Sequence, residues 1–396
     1  MTAKPGKRIV NSWNEFDPLK RVIVGRPDGS VIPPPEPAYF YDVPACPYPN
    51  YGPFPEERVA EARELTDNFV KILEGRGVVV DQPTPLDYSQ RVQTPDWVNE
   101  SMRGCMVPRD LLLPLGNEIL EATMSYRSRW FEYLSYRPIL EKYFQEDPNF
   151  LWEAAPKPRL TDETYEKGYW ENFTKVWTFE EKMERARRRR WNLTEKEPIF
   201  DAADVARVGK DIFVLVAATT NEAGFSWLKR HFEPKGFRVH RVEYGGHTYL
   251  WHLDASYNPL CPGKATAMLI TPCLTEEFLE LHRINGWELV PATPPVRTEI
   301  DPWSFIDFEC IDKTFIGDAK PELWLSCNTL MLDPKTVFVE QLETRLQDQL
   351  DKLGFEVIPV PFWQVGAFGG AFHCSTVDVY REGKCEDYFP KQIKGY

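Results

Sequence analysis

The sequence lacks an apolar run long enough to cross a membrane, and its first residues, MTAKPGKRIV, lack the apolar segment of a secretory leader. We therefore expect a cytoplasmic protein with no membrane partner. An excess of positive charge is also missing, because 47 lysines and arginines face 60 acidic residues, for a net charge of −13. A field of that sign repels phosphate backbones. It argues against a nucleic-acid partner and favours a cationic small-molecule substrate.

Paired cysteine motifs are missing as well. The eight cysteines are spread along the chain without one Cys-x-x-Cys pair, which argues against a zinc site or a disulfide framework. Most of them are expected to be reduced, buried thiols. One differs in its setting, because Cys374 follows a histidine and a glycine pair in GGAFHC. It is a candidate nucleophile, with a buried structural thiol as the alternative.

A recurring pattern of helix, glycine and apolar strand indicates the fold class. Glycines at positions 77, 236, 286 and 354 each follow a helical pattern and precede an apolar strand. Counting a further strand before most copies, about five α/β units are visible, and a doubly wound α/β sheet is the alternative. We expect one domain over residues 1–396, with an inserted, lid-like segment at about 136–195 that is rich in Tyr, Trp, Glu and Arg.

Candidate chemical groups are concentrated in short polar motifs between apolar strands. These are TPDW with Asp96, FDAAD with Asp201 and Asp204, WHLDAS with His252 and Asp254, and AFHCST with His373 and Cys374. In an extended segment His252 and Asp254 point to the same face, whereas neighbours such as His373 and Cys374 point to opposite faces. His373 is therefore the less suitable acid or base. Asp201 has a structural alternative, because it could cap the helix-compatible run that follows.

These groups fit a guanidinium substrate. A thiol attacks only as the thiolate, which a neighbouring positive charge favours. A bound guanidinium supplies that charge, and carboxylates match its planar fork of N–H donors. The chemistry predicts an acidic pocket with one thiol and one histidine.

Longer motifs resemble one known family. They are NSWNEFDPLKRVIVGRP, MVPRDLLLPLGNEILEA, YRSRWFEYLSYR, APKP, FDAADVARVGKDIF, HLDASYN, LSCNTLMLD and GGAFHC. Together they run along almost the whole chain and resemble the amidinotransferases, such as the arginine:glycine enzymes. The resemblance implies a fivefold pseudosymmetric α/β propeller, the pentein fold, with a central active site.

The resemblance also implies roles for individual residues. Cys374 matches the nucleophile, His252 the general acid and base, and Asp201 the carboxylate paired with that histidine. Asp96 and Asp254 match carboxylates that bind the donor. It further implies ping-pong transfer from L-arginine with no metal or organic cofactor, in an enzyme expected to be a homodimer.

The sequence departs from the family where the donor carboxylate and the acceptor are held. Glu322 stands where serines are expected, and Tyr249 and Trp251 replace a small polar residue and a methionine. An acid there would repel a substrate carboxylate. We therefore interpret these residues as part of a pocket for an amine that presents a cation or a neutral group, with misalignment and strand packing as alternatives.

The predicted function is amidino transfer from L-arginine to a primary amine, with release of L-ornithine. The departures favour natural-product biosynthesis, such as that of a guanidino toxin like saxitoxin. Three alternatives remain: an arginine:glycine amidinotransferase, a guanidine hydrolase of the same superfamily, and a catalytically silent binding protein.

Overall fold

A computed structural model describes residues 8–38, 51–243, 252–267, 274–293, 296 and 327–396. This part of the chain alternates short strands with amphipathic helices. The strands are β1 (Leu19–Val24), β2 (Val31–Ile32), β3 (Gly52–Pro53), β4 (Val79–Asp81), β5 (Val92–Gln93), β6 (Val98–Asn99), β7 (Leu112–Leu115), β8 (Glu118–Glu121), β9 (Leu151–Ala154), β10 (Val205–Val208), β11 (Asp211–Leu215), β12 (Arg238–Val242), β13 (Tyr257–Cys261), β14 (Lys264–Ala267), β15 (Glu288–Pro291), β16 (Leu330–Asp333), β17 (Thr336–Glu340), β18 (Glu356–Val360) and β19 (Thr376–Arg381).

The helices are α1 (Glu56–Gly75), α2 (Tyr133–Glu146), α3 (Tyr169–Lys175), α4 (Phe179–Arg187), α5 (Glu222–Phe232), α6 (Glu276–Ile284) and α7 (Thr344–Lys352). In α1, the buried positions Val59, Ala62, Thr66, Phe69 and Leu73 recur every three or four residues. That spacing places them on one face, which packs inward while the charged face remains in water. Among the described residues no helix is long and apolar enough to span a membrane.

One arrangement of strands recurs through the described residues. Five three-stranded sheets have the orders β19-β1-β4, β7-β8-β9, β10-β11-β12, β13-β14-β15 and β16-β17-β18. In each sheet the central strand is antiparallel to one neighbour and parallel to the other. A helix connects each parallel pair, because a parallel crossover needs a long connection. The predicted α/β class and its recurring local unit are confirmed.

The glycines predicted to end helices adopt the left-handed conformation at these connections. Their φ angles are 81° at Gly77, 94° at Gly236, 73° at Gly286 and 88° at Gly354. A side chain is strained in that region of backbone space, so glycine allows the chain to turn from each helix into its strand.

The two ends of the described chain meet in one sheet. Near the N-terminus β1 pairs antiparallel with β19, with Val22 opposite Asp378 and Ile23 opposite Val377. The pairing places the end of β1 beside the start of β19, where the Gly25 N–H donates to the Ser375 carbonyl, and the segment before β1 reaches the turn before β19 through Glu15, which contacts His373. That turn contains Cys374, so the first residues of the fold help to build its surroundings.

The stretch at about 136–195, predicted to be an inserted segment, contains part of a repeated unit. Most of helix α2 and all of strand β9 lie within those limits, and they complete the second repeated unit, since β9 pairs in parallel with β8. The aromatic composition of this stretch obscured its periodicity. The rest of the stretch, which includes α3 and α4, lies outside the five three-stranded sheets. Its role as a lid stays a prediction.

Candidate active site

Cys374 lies in a tight turn rather than in the extended strand that the sequence predicted. Residues 372–375 form this turn, and β19 begins only at Thr376. Gly370 has a φ of 148°, and a Cβ built there would lie 2.3 Å from the Cys374 Cβ and 2.5 Å from its Sγ. Such a separation is far below van der Waals contact. Glycine is therefore needed for the chain to fold back over the thiol.

An aromatic cluster fixes this turn from behind. The buried Phe372 ring stacks on Phe362 at a centroid distance of 4.4 Å and meets the edge of Phe69 at 5.1 Å. Fully burying a phenylalanine contributes about 1.5–3 kcal/mol. This packing fixes the backbone of the turn that carries His373 and Cys374.

The Cys374 thiol is held between an amide and a carboxylate. Asn328 donates from Nδ2 to Sγ over 3.0 Å, and the thiol faces Asp254 Oδ2 at 3.3 Å. The other end of the Asn328 amide accepts from the backbone N–H groups of Ala371 and Cys374, both at 3.1 Å. Burial, together with the charges of Asp254 and Asp110, raises the pKa of Cys374 well above its usual value. The resting group is a thiol, and a cation beside it would favour the thiolate.

His252 lies among carboxylates. Its Nε2 is 3.2 Å from Asp201 Oδ2, and its Nδ1 is 3.7 Å from Asp110 Oδ1. Burial opposes the charged ring, but the negative charges of Asp110, Asp201 and Asp204 outweigh it and raise the pKa of His252 to about 10. At neutral pH this histidine is an imidazolium, which is a proton donor.

Asp201 is directed at His252 by its backbone setting. It precedes the short helix Ala202–Asp204 but makes no side-chain cap bond to it, so the capping alternative is wrong. Its Oδ1 accepts from the Ser125 backbone N–H at 3.1 Å, which leaves Oδ2 for the imidazole. Nearby, burial raises the pKa of Asp204 to about 8, and its Oδ2 accepts from the Thr219 and Thr220 hydroxyls.

Asp110 joins this group, although the sequence did not single it out. It ends the short helix Pro108–Asp110, and its Oδ2 is paired with the Arg129 guanidinium. Its Oδ1 is buried and has no hydrogen-bond partner in the described part of the chain. The same is true of Asp254 Oδ1. Two carboxylate oxygens near the thiol are thus available to a ligand.

Comparisons with known proteins show which sequences this chain resembles. No protein-family model matches the chain. It is 37% identical to the mitochondrial glycine amidinotransferase of Xenopus tropicalis over 393 residues, which cover 96% of this chain and 85% of that protein. It is 36% identical to the L-arginine:L-lysine amidinotransferase of Pseudomonas savastanoi pv. phaseolicola, with 96% of each chain covered.

A solved structure agrees with these relatives. SxtG, an amidinotransferase from Microseira wollei in the saxitoxin biosynthetic pathway, is 34% identical with a TM-score of 0.79, and the match covers 96% of this chain and 99% of that one. The chain belongs to the amidinotransferase family. The family predicted from the motifs is confirmed, and the protein is an enzyme of this type.

In this amidinotransferase, Asp96 does not reach the group around His252. Its carboxylate pairs with the guanidinium of Arg159, whose side chain is 71% exposed. The described contacts instead bring Asp110 beside His252. The missed signal was the position of Asp110 immediately before an apolar strand in MVPRDLLL. Of the other predicted residues, Tyr249, Trp251 and Glu322 lie outside the described part of the chain.

The prediction that His373 points away from Cys374 is wrong in its geometry. Because the two residues lie in a turn, His373 Nδ1 and Cys374 Sγ both contact Asp254 Oδ2, at 2.9 Å and 3.3 Å. Within the described residues of this amidinotransferase, no group of His, Cys, Asp and Glu side chains is arranged to hold a metal.

Proposed function

We propose that this enzyme transfers the amidino group of L-arginine to a primary amine through a covalent amidino group on Cys374, and releases L-ornithine. One observation carries the proposal: a buried thiol lies with an imidazolium and two carboxylate oxygens that accept no hydrogen bond from the described residues. This set contains a nucleophile, an acid and a receptor for a cation. Asp110, rather than Asp96, takes the donor-binding role beside Asp254.

A guanidinium fits this receptor better than a neutral group does. The Oδ1 atoms of Asp110 and Asp254 are buried and accept no hydrogen bond from the described residues. Carboxylates bind the guanidinium fork through charge-assisted hydrogen bonds. The same cation offsets the charges that keep Cys374 protonated, so donor binding favours release of the thiol proton to solvent.

The first half of the reaction forms a carbon–sulfur bond. The Cys374 thiolate attacks the guanidinium carbon, and the imidazolium of His252 gives its proton to the departing amine as the carbon–nitrogen bond breaks. Ornithine leaves, His252 is neutral, and a positively charged amidino group remains on sulfur. Asp201 holds the imidazole through Nε2.

The second half reverses these steps with a different amine. The acceptor nitrogen attacks the amidino carbon and loses a proton to neutral His252, and the thiolate of Cys374 leaves. The product is a new guanidinium, and once it leaves, the thiolate takes up a proton from solvent and the enzyme returns to its starting charge state. The parallel role of one histidine as acid and then base follows from the ping-pong order.

The proposal also concerns the identity of the acceptor amine. The printed names of the relatives concern glycine, L-lysine and the saxitoxin pathway, so the acceptor varies within the family. We propose that this enzyme acts in natural-product biosynthesis in the cytoplasm, as a homodimer in which each chain forms a pentein propeller. The support is the departure at Tyr249, Trp251 and Glu322.

A panel of amines tests the proposal. The enzyme is incubated with L-arginine and either glycine, L-lysine, or an arginine-derived amine that lacks a carboxylate. We expect ornithine and a guanidino product in equal amounts, fastest with the amine that lacks a carboxylate. Citrulline and ammonia formed without an amine would indicate a hydrolase instead, and a preference for glycine would contradict the proposed acceptor.

A further inference from the structure

We propose that His373 is a positioning residue, which together with Glu15 holds Asp254 so that one of its carboxylate oxygens faces the thiol and the other faces the donor. This inference rests on the proposed function, because it concerns the binding of the guanidinium donor.

His373 bridges two buried carboxylates. Its Nδ1 lies 2.9 Å from Asp254 Oδ2, and its Nε2 lies 3.2 Å from Glu15 Oε2. All three side chains are at most 7% exposed. A neutral imidazole has one donor and one acceptor nitrogen, whereas an imidazolium has two donors. Two ionised carboxylates are therefore both satisfied only by the charged ring.

Glu15 is itself fixed by a buried arginine. Arg207 donates to its carboxylate from Nε at 2.8 Å and from Nη2 at 2.5 Å. Arg207 also donates to Asp378, which in turn accepts from Arg109 at 2.7 Å and from Arg381 at 2.5 Å. Because its carboxylate is held on this side, Glu15 presents Oε2 to His373 in a fixed direction.

The chain topology explains why this link exists. Glu15 belongs to the NSWNEFDP segment before β1, and His373 belongs to the turn before β19. The segment before β1 runs beside β19, where Asn11 forms a parallel bridge with Tyr380, and the Glu15 side chain reaches His373 from there. The N-terminal motif thus acquires a role at the nucleophile, although it supplies no group that touches the thiol among the described contacts.

The orientation of Asp254 is the consequence. His373 and the Cys374 thiol both occupy Oδ2, so Oδ1 is left without a partner among the described residues. The charged groups that face the His373 ring are Glu15, Asp254 and Arg109. Without the ring, Asp254 could turn or take up a proton, and either change weakens its hold on a cation.

The test separates positioning from general stabilisation of the fold. Arginine binding is measured by calorimetry on Cys374→Ala protein, alone and combined with His373→Gln, Glu15→Gln or both. The matched control is His240→Gln, because His240 is also buried and lies 2.7 Å from a carboxylate, that of Asp211, away from the site. Melting temperatures are recorded for each variant.

We expect His373→Gln and Glu15→Gln each to weaken arginine binding on the order of tenfold to a hundredfold, as the loss of a buried charged hydrogen bond would do. The double variant should lose little more than either single one, since both act through one contact chain. His240→Gln should bind like its parent. Additive losses, or losses no larger than the control's, would overturn the proposal.

A second readout needs no arginine. With Cys374 intact, the rate of iodoacetamide alkylation is followed against pH. His373→Gln should shift the profile to higher pH, because a positive charge beside Asp254 and the thiol is gone. An unshifted profile contradicts positioning. If the profile and the binding respond as expected but the wild type forms no ornithine, the proposed function fails and the positioning role stands.

Discussion

His373 is buried and the His252 side chain is 13% exposed, and each ring lies between two carboxylates whose other contacts differ. Beside His252, Asp110 Oδ1 has no hydrogen-bond partner within the described residues. Beside His373, Glu15 is already held by Arg207. Each group therefore keeps one carboxylate oxygen that can accept a cation, Asp110 Oδ1 beside His252 and Asp254 Oδ1 beside His373. The ring of His373 differs in that Glu15 ties it to a buried ionic network with Arg207.

The difference shows that a buried histidine can either transfer a proton or position a neighbouring side chain. Neighbouring carboxylates favour a charged ring in both places, and the pKa of His252 and that of His373 are raised despite burial. A proton is useful for catalysis only where a reacting atom can receive it. The Nδ1 of His252 lies 3.7 Å from Asp110, beyond hydrogen-bond distance, whereas both ring nitrogens of His373 lie within hydrogen-bond distance of a carboxylate.

Removing the two rings separately should produce unlike losses. We expect His252→Asn to lower kcat for both half reactions by roughly a hundredfold to ten-thousandfold, the usual contribution of a general acid and base. His373→Gln should act mainly on the affinity for arginine. Rapid-quench measurement of ornithine release checks both, with His240→Asn as the control. If His252→Asn keeps kcat within tenfold of the wild type, the acid role is wrong.

The turn that directs His373 and Cys374 to one carboxylate offers the next test. A methyl group at Gly370 would meet the Cys374 side chain, so Gly370→Ala must displace the thiol. We expect kcat to fall about a hundredfold, the effect of a misplacement near 1 Å. Gly366→Ala is the matched control, since nothing lies within 4 Å of its Cβ position. Equal activity of the two variants, measured under saturating arginine, would refute a strict turn geometry.

The smallest effect concerns pH. His252 has a pKa of about 10, so its acid form persists through neutral pH and is lost as the pH rises through that value. The first half reaction should therefore lose rate only at alkaline pH. Asp110→Asn removes one of the charges that raise this pKa and should move the alkaline limb down by roughly one unit. Single-turnover rates against pH provide the measurement.

The protonation of His252 also changes the free energy of unfolding with pH. Because the folded-state pKa of His252 is above its unfolded value of about 6.5, its contribution is fully present below that pH and is lost as the pH rises through about 10. Chemical denaturation at pH 7 and pH 10 should show a smaller decrease in the free energy of unfolding for Asp110→Asn than for the wild type. An identical decrease would mean that Asp110 does not act on this ring.

Local patterns were enough to predict much of the fold. The glycines at 77, 236, 286 and 354 marked four helix ends. They could be predicted because the positive φ angle at the end of a helix depends on neighbouring residues alone. The residue types around Cys374, His252, Asp201 and Asp254 also indicated groups that the fold brings into two contacting pairs. Their catalytic roles stay proposals.

Contacts between residues that are distant in the sequence could not be predicted from local patterns. The position of Asp110 before an apolar strand did not show that its side chain would meet His252, which depends on the packing around Arg129 and His252. His373 was assigned a direction from strand alternation, but the glycine pair turns the chain before β19 begins. The link from Glu15 to His373 joins residues 358 positions apart and depends on the pairing of the chain's two ends.

The most direct measurement is the mass of the protein after incubation with L-arginine and no acceptor. We expect an increase of about 42 Da, as one amidino group adds, on the peptide that contains Cys374, with ornithine released in equal amount. Adding an amine should remove the increase. Ornithine formed at full rate with no adduct in quenched samples, or an adduct on Cys105 or Cys327 instead, would contradict the account.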